Sequence, residues 1–162
     1  MSHVDIKGYI PGAIGRIAEL HALYYSREWG FGKFFEAKVA IELSEFVSRL
    51  DDEQDALWTV CRENRVEGGI AIDGIKAKTD GAHLRWYILS PHLTGQGFGN
   101  RLLTDALNFC RSKQYKKVYL WTFKGLEKAR HLYEKNGFTL THEQEGTQWG
   151  TTVIEQKFII EL

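Results

Sequence analysis

The sequence predicts an α+β domain in which about four helices flank a mixed, mostly antiparallel sheet of six or seven strands. Two amphipathic helical segments come first, short strand-like segments follow, and strand–helix–strand units occupy the second half. The chain has 162 residues, of which 43% are hydrophobic, and this suffices for one substantial core. We therefore expect a single domain over residues 1–162.

The first third of the chain predicts one strand and two helices. Residues 3–10 alternate loosely in polarity and end at Pro11, which is typical of a strand closed by a turn. Apolar side chains recur every three or four positions over residues 13–29 and again over 33–50, and Gly30 separates these two segments. Each segment therefore predicts a helix with one buried face.

The remainder predicts mainly strands, in the overall order β-α-α-β-β-β-α-β-α-β-β. Apolar stripes at helical spacing interrupt the strands at residues 97–112 and 126–135. The six strand segments are 56–61, 66–73, 82–89, 118–123, 138–142 and about 151–160.

Charge and cysteine usage narrow the partners that we expect. Twenty-one basic residues balance twenty-one acidic ones, so no net field attracts nucleic acid or an anionic membrane. Cys61 and Cys110 lie in apolar runs without CxxC spacing, which favours buried thiols in a reducing compartment. The N-terminus shows no basic segment followed by an apolar stretch. We expect a cytoplasmic protein that acts on a small molecule or another protein, and a homodimer stays open.

Taken alone, a glycine-rich turn between a strand and a helix predicts either an anion site or a tight turn with close packing. Unpaired backbone N–H groups and the positive end of a helix converge there, and glycines let a phosphate approach the amides. The turn lacks the Gly-Lys-Ser/Thr ending of a P-loop, and it follows the fourth strand rather than the first strand of a dinucleotide-binding fold. It consists of Gly95, Gln96, Gly97, Phe98, Gly99 and Asn100.

Two segments around this turn resemble a known family. Residues 89–103 resemble motif A of the GNAT acetyltransferases, and residues 129–138, about thirty positions downstream, resemble their motif B. The runs at 23–30 and 34–37 are similar to acetyltransferase domains fused behind MarR-type winged-helix regulators, although we predict no winged helix here. The resemblance implies the GNAT fold, acetyl-CoA as acyl donor, and no metal.

The resemblance also implies roles for individual residues. Backbone groups of Tyr87, Ile88 and Leu89 would pair with the pantetheine arm of acetyl-CoA like an added strand, and the amides from Gly95 to Asn100 would cradle the pyrophosphate. Tyr133 would donate a proton to the departing CoA thiolate while an amine attacks the thioester directly. From the helical pattern alone, Tyr133 is also compatible with a core aromatic residue.

The chain departs from the family pattern at two positions. Thr94 stands where Arg or Gln is usual, and Leu126 stands where Asn is common, so contacts to the pyrophosphate and the pantetheine are reduced. Basic residues nearby can compensate by contacting phosphates, namely Arg101, Lys116 and Lys117.

On the acceptor side the first helix presents several polar groups on one face. His21, Tyr25 and Glu28 are spaced four and three positions apart, which is too few ligands for a metal site and is compatible either with a substrate-binding face or with simple packing beside a solvent-exposed rim. Glu28 is our leading candidate for the base that accepts the ammonium proton. Its rivals are His21, His92 and Glu143, and Trp121 lies where some relatives carry an acid.

Arg85 interrupts an otherwise apolar strand. Such a cation either pairs with an internal carboxylate or reaches into the cleft, because burial without a partner costs several kcal/mol. In the cleft it would bind a carboxylate-bearing acceptor such as an amino acid, with Trp29, Trp86 and Trp149 as apolar walls.

These features predict an N-acetyltransferase that acts on the primary amine of a small molecule, with amino acids among the candidates. Two alternatives share the motifs: a non-catalytic acyl-CoA-binding sensor or regulatory module, and a protein or peptide N-acetyltransferase.

Overall fold

The computed structural model describes residues 3–162, and within that range it contains seven strands, four α-helices and one short 3-10 helix. The strands are β1 (Val4–Lys7), β2 (Ala56–Arg62), β3 (Arg65–Asp73), β4 (Ala82–Leu89), β5 (Lys117–Phe123), β6 (Thr139–Gly146) and β7 (Val153–Glu161). The helices are α1 (Ala13–Trp29), α2 (Lys33–Ser48), α3 (Phe98–Ser112) and α4 (Glu127–Lys135), and the 3-10 helix is Pro91–Leu93.

All seven strands form one sheet in the order β1-β2-β3-β4-β5-β7-β6. Neighbouring strands are antiparallel except β4 and β5, which are parallel because α3 connects them as a crossover. The predicted class, a mixed and mostly antiparallel sheet with four flanking helices, is confirmed. None of the helices in the described part of the chain is long and apolar enough to cross a membrane.

Element bounds differ from the predicted ones mainly at the sheet edges. Strand β1 stops at Lys7, because the Gly8 carbonyl accepts a hydrogen bond from Thr59 Oγ1 at 2.8 Å and the chain then turns into α1. Strand β6 extends to Gly146, four residues beyond the predicted end at position 142. It is the edge strand and is mostly exposed, so its polar run Thr141–Glu145 lacks the alternation that marks a half-buried strand.

The parallel strands β4 and β5 separate soon after they begin. They pair only at Ala82↔Val118 and His83↔Tyr119. On its other edge β4 is bulged against β3, with a register shift between Gly69 and Ala71 and a positive φ of 50° at Trp86. The bulge bends β4, and a V-shaped opening results in the middle of the sheet.

Helices cover the two faces of the sheet in pairs. Helices α3 and α4 pack on one face, where Leu103, Leu120 and Tyr133 belong to the same buried cluster. Helices α1 and α2 pack on the opposite face, where Phe46 and Ile88 belong to a second cluster. The V therefore connects two layers, each with a core of its own.

Candidate functional site

A cleft of about 910 Å³ passes through the V between β4 and β5. We call its two parts the α3–α4 half and the α1–α2 half, after the helices that cover them. The α3–α4 half is lined by Tyr87, Leu89, the glycine turn, Leu120, Leu132 and Tyr133. The α1–α2 half is lined by Tyr25, Lys38, Glu42, Arg85, Trp86, Trp121 and Trp149, among others.

The glycine turn lies at one mouth of the cleft and is shaped by two positive φ angles. Gly95 has φ +76° and Gly97, the N-cap of α3, has φ +87°. Outside the immediate chain neighbours, no heavy atom of residues 3–162 lies within 4 Å of a Cβ built at either glycine. The backbone therefore faces open space beside the first turn of a fifteen-residue helix, a geometry that favours a bound anion.

The other residues of the turn have distinct contacts. Gln96 Nε2 donates to the His92 carbonyl at 3.0 Å, and Phe98 packs against the core of the α3–α4 face. Asn100 lines the cleft, and its Oδ1 accepts a hydrogen bond from Asn136 Nδ2 at 3.3 Å. Thr94 also lines the cleft, but its hydroxyl donates to the Pro91 carbonyl at 3.0 Å.

Tyr87 ties the bulged strand to the glycine turn by its side chain. Its hydroxyl donates to the Gly99 carbonyl, and burial raises the pKa of this phenol. A Cβ at position 99 would lie 3.1 Å from the same hydroxyl. Gly99 thus permits close packing of β4 against α3, whereas Gly95 and Gly97 are required by their backbone conformation. Sequence reasoning had considered only the backbone of Tyr87.

Tyr133 lies on α4 and lines the cleft where the two strands diverge. Its side chain is 6% exposed, and its ring contacts Phe138 and Phe158 with centroid separations of 5.9 Å. Burial, and then the neighbouring phenols of Tyr25 and Tyr87, raise the pKa of Tyr133 well above its ordinary value. The phenol is therefore protonated at neutral pH and can act as a proton donor.

His21 and Tyr25 lie together in the α1–α2 half. The Nδ1 of His21 donates to the Ile17 carbonyl at 2.8 Å, so its lone pair lies on Nε2. Desolvation lowers the pKa of His21 from 6.5 to about 4, which keeps the imidazole neutral. Tyr25 packs among aromatic rings, including Phe35 at 5.0 Å and Phe123 at 5.9 Å, and burial raises its pKa.

The neutral state of His21 predicts how stability depends on pH. The unfolded chain protonates this imidazole near pH 6.5 and the folded protein only near pH 4, so in this interval the unfolded state binds more protons. The free energy of unfolding therefore falls as the pH falls, by on the order of 3 kcal/mol for this group. We expect His21→Gln, which preserves a donor to Ile17, to reduce this loss in urea unfolding measured at pH 7 and pH 4.5.

The half-buried imidazole of His83 also contributes to the pH dependence of stability. Desolvation, and then the Arg85 cation, lower the pKa of His83 to about 3, so His83 also contributes to the acid-side loss. The pH dependence of His21→Gln should therefore be shallower than that of the parent but should not vanish. Identical pH dependence in the two proteins would contradict the assignment.

The candidate bases occupy different environments. Glu28 lines the rim of the α1–α2 half, where its side chain is 51% exposed and lies 3.2 Å from Arg27 Nε. Glu143 is on edge strand β6 and accepts a hydrogen bond from Gln156 Nε2 at 2.8 Å. His92 lies in the 3-10 helix before the glycine turn. Glu28 and His21 both line the cleft, whereas His92 and Glu143 are not among its lining residues.

Arg85 combines both predicted alternatives. Its Nη2 lies 2.6 Å from Glu42 Oε1, its Nη1 lies 3.8 Å from Asp73 Oδ2, and its guanidinium stacks 4.1 Å from the Trp86 ring. It nevertheless lines the cleft. Burial opposes the charge of Glu42, but hydrogen bonds from Lys38 and Arg85 hold the pKa of this carboxyl below its usual range. Sequence reasoning missed Glu42, because it lies 43 residues from Arg85.

The β6–β7 loop forms the outer wall of the α1–α2 half. Gln148 and Trp149 line the cleft, and Trp149 packs against Phe123 with a centroid separation of 5.6 Å. The loop is held by Glu155, a 4% exposed carboxylate that accepts the Gln148 N–H at 2.9 Å. A Cβ at Gly150 would lie 2.6 Å from Phe34 on α2, so loop and helix approach closely. This end of the cleft is therefore narrowed by its own hairpin.

Among residues 3–162, no group of three or more His, Cys, Asp or Glu side chains could hold a metal ion.

The separated strands β4 and β5 leave a free strand edge beside a helix N-terminus that favours an anion. Comparison with known proteins identifies the family in which this arrangement occurs. The model of the acetyltransferase (GNAT) family matches residues 14–138. The chain therefore belongs to the GNAT acetyltransferases and is an acetyl-CoA-dependent acyltransferase.

Solved structures share the fold at low sequence identity. An acetyltransferase from Streptococcus agalactiae is 19% identical over 98% of both chains, with a TM-score of 0.75. The protein yncA from Salmonella typhimurium, solved with its cofactor acetyl-CoA, is 13% identical over 98% of this chain and 94% of its own, with a TM-score of 0.76. The ribosomal-protein-alanine N-acetyltransferase from Brucella melitensis is 13% identical over 98% and 99%, also with a TM-score of 0.76. No relative among curated proteins matches the chain.

Proposed function

We propose that this protein transfers the acetyl group of acetyl-CoA to the primary amine of a small molecule, with simple amines and amino acids as the candidate acceptors, by direct attack in a ternary complex. The observation that supports this proposal most directly is the position of Tyr133, a protonated phenol that lines the cleft where β4 and β5 diverge. The narrowing of the opposite mouth by Trp149 favours a small acceptor over a polypeptide.

Backbone groups of β4 and of the glycine turn would hold the acetyl donor. Past His83, β4 pairs with no residue of β5 in the described chain, so its edge at Tyr87, Ile88 and Leu89 can accept an extended arm as an added strand. The amides from Gly95 to Asn100 would bind the pyrophosphate at the N-terminus of α3. The thioester supplies an activated acyl group.

Tyr133 would supply the proton that the leaving group needs. As the amine nitrogen forms its bond to the acyl carbon, the carbon–sulfur bond breaks and its electron pair passes to sulfur. The Tyr133 hydroxyl would donate a proton to this thiolate, and a thiol of pKa about 8.5 requires only a weak acid at close range. The second proton that the nitrogen loses as it becomes an amide would return through water to the Tyr133 oxygen, which restores the phenol.

Glu28 and His21 would have different roles at the acceptor nitrogen: Glu28 would remove its proton, and His21 would orient it. A free amine carries an ammonium proton at neutral pH, and this proton must leave before attack. Glu28 at the cleft rim would accept it through water, since its carboxylate is in contact with solvent. The buried Nε2 of His21 would accept a hydrogen bond from the amine and orient it, together with Tyr25.

We expect Glu28→Gln to lower kcat/KM for the acceptor by about tenfold near pH 7 and less at pH 9, where more of the amine is already neutral. The measurement is thiol release from acetyl-CoA between pH 6 and pH 9. Glu19→Gln, on the same helix but outside the cleft lining, is the control. An equal defect at every pH would assign Glu28 to binding rather than to proton removal.

The activity itself is tested by thiol release from acetyl-CoA with separate panels of amines, amino acids and short peptides. Turnover with free amines or amino acids supports the proposal. Turnover confined to peptides, or saturable CoA binding without turnover on any panel, would refute it.

A further inference from the structure

We propose that the acceptor is a primary amine with an aromatic or bulky apolar body and no further charged group. This inference rests on the proposed function and specifies its substrate class. It follows from two independent properties of the α1–α2 half: its tryptophan walls and its internally paired charges.

Three tryptophans from three different segments line this half of the cleft. Trp86 lies on the bulge of β4, Trp121 on β5 and Trp149 in the β6–β7 loop, and all three are half-buried. Trp121 and Phe123 are two positions apart on β5 and therefore lie on the same face of the sheet. Each large ring can exclude water from an apolar body that enters the cleft.

The charges of this half form pairs with one another. Glu42 lies 2.6 Å from Arg85 Nη2 and 2.8 Å from Lys38 Nζ. Asp73, which is buried, lies 3.8 Å from Arg85 Nη1 and 2.6 Å from Arg49 Nη2, and Arg49 Nη1 also lies 3.8 Å from the buried Asp55. These three cations and three carboxylates of the chain therefore balance one another.

This pairing disfavours acceptors with additional charge. A substrate carboxylate would have to compete with Glu42 for Arg85, and a second ammonium would have to compete with Arg85 and Lys38 for Glu42. Either exchange weakens a partly buried charge pair, which is unfavourable, whereas the half-exposed Arg27–Glu28 pair contributes little to this selection. An amine with an uncharged aromatic body leaves the pairs intact and gains apolar contact.

The direct test compares three acceptors at saturating acetyl-CoA: 2-phenylethylamine, L-phenylalanine, which adds a carboxylate, and spermidine, which adds ammonium groups. We expect kcat/KM for 2-phenylethylamine to exceed each of the others by about tenfold or more. Preference for L-phenylalanine or spermidine would overturn the inference while leaving the acetyltransferase proposal intact.

A binding measurement separates the two proposals if no acceptor turns over. The CoA-loaded protein is titrated calorimetrically with the same three compounds. Tighter binding of 2-phenylethylamine than of L-phenylalanine and spermidine supports the acceptor class even though the proposed reaction fails. Equal or weaker binding overturns the acceptor class.

The charge argument is tested further by Glu42→Gln, which releases Arg85 and Lys38 from their shared carboxylate. We expect the ratio of kcat/KM for L-phenylalanine to that for 2-phenylethylamine to rise by about tenfold. Glu36→Gln, an exposed change on the same helix, should leave the ratio unchanged. An unchanged ratio in Glu42→Gln contradicts the inference.

The aromatic wall is tested by Trp149→Leu, which should lower kcat/KM for 2-phenylethylamine by about tenfold. Trp58→Leu is the matched control, because Trp58 is equally half-buried but packs on Phe109 outside this cleft. An equal effect of the two changes, or no effect of either, contradicts the role of the wall.

Discussion

Replacing Tyr133 with phenylalanine is expected to lower kcat by about 10²-fold, the lower end of what general acid catalysis contributes. The change removes one hydroxyl and keeps the ring, whose contacts with Phe138 and Phe158 support the core. KM for acetyl-CoA and the thermal midpoint should therefore stay close to the parent values. Steady-state thiol release and thermal unfolding measure both expectations.

The pH dependence of this defect identifies its cause. Above pH 8.5 the CoA thiolate is stable without a proton, so the defect should shrink as the pH rises. Tyr115→Phe removes a hydroxyl that donates to the Gln54 carbonyl at 2.8 Å, away from the cleft lining, and serves as the control with unchanged kcat. A Tyr133→Phe enzyme with full kcat at neutral pH would show that water supplies the proton.

Gly97→Ala is expected to weaken CoA binding by about tenfold or more. Two costs combine at this position. An L-residue at φ +87° is strained by about 1 kcal/mol, and the new Cβ projects into the open space beside the α3 N-terminus, where phosphate would approach the amides. Calorimetric titration with CoA measures the loss.

Gly12→Ala is the control that separates a loss of CoA binding from a loss of folding stability. Gly12 is the N-cap of α1 with φ 95° and ψ −11°, and Gly97 is the N-cap of α3 with φ 87° and ψ −2°. Neither Cβ would meet an atom within 4 Å among residues 3–162, apart from immediate chain neighbours. The two changes should destabilise folding similarly, while only Gly97→Ala affects CoA. If both variants bind CoA as the parent does, the glycine turn is not the pyrophosphate site.

Local sequence patterns were sufficient to predict those features of the structure that depend on residues close together in the chain. Helical periodicity placed α1 at its observed bounds, and alternation placed β4 likewise. Glycines marked the positive-φ turn at Gly95 and Gly97. The motif around Tyr133 indicated a residue that the fold brings to the cleft. The polar edge strand β6 was underestimated, because a strand exposed on both faces leaves no alternation to detect.

Contacts between side chains that are far apart in the sequence could be seen only in the tertiary structure. Arg85 is a conspicuous cation in the sequence, but only the packing of α2 on the sheet supplies Glu42 and decides that the charge is already paired. Likewise, only the hairpin return places Trp149 over the cleft and buries Glu155 beneath the loop. Periodicity and turn preference arise from interactions over a few residues, whereas charge pairing and pocket shape depend on which elements pack side by side. Short-range patterns therefore predict the fold class and the positions of the glycine turn and Tyr133, whereas the charge pairs and apolar walls of the α1–α2 half follow only from the packing of distant elements.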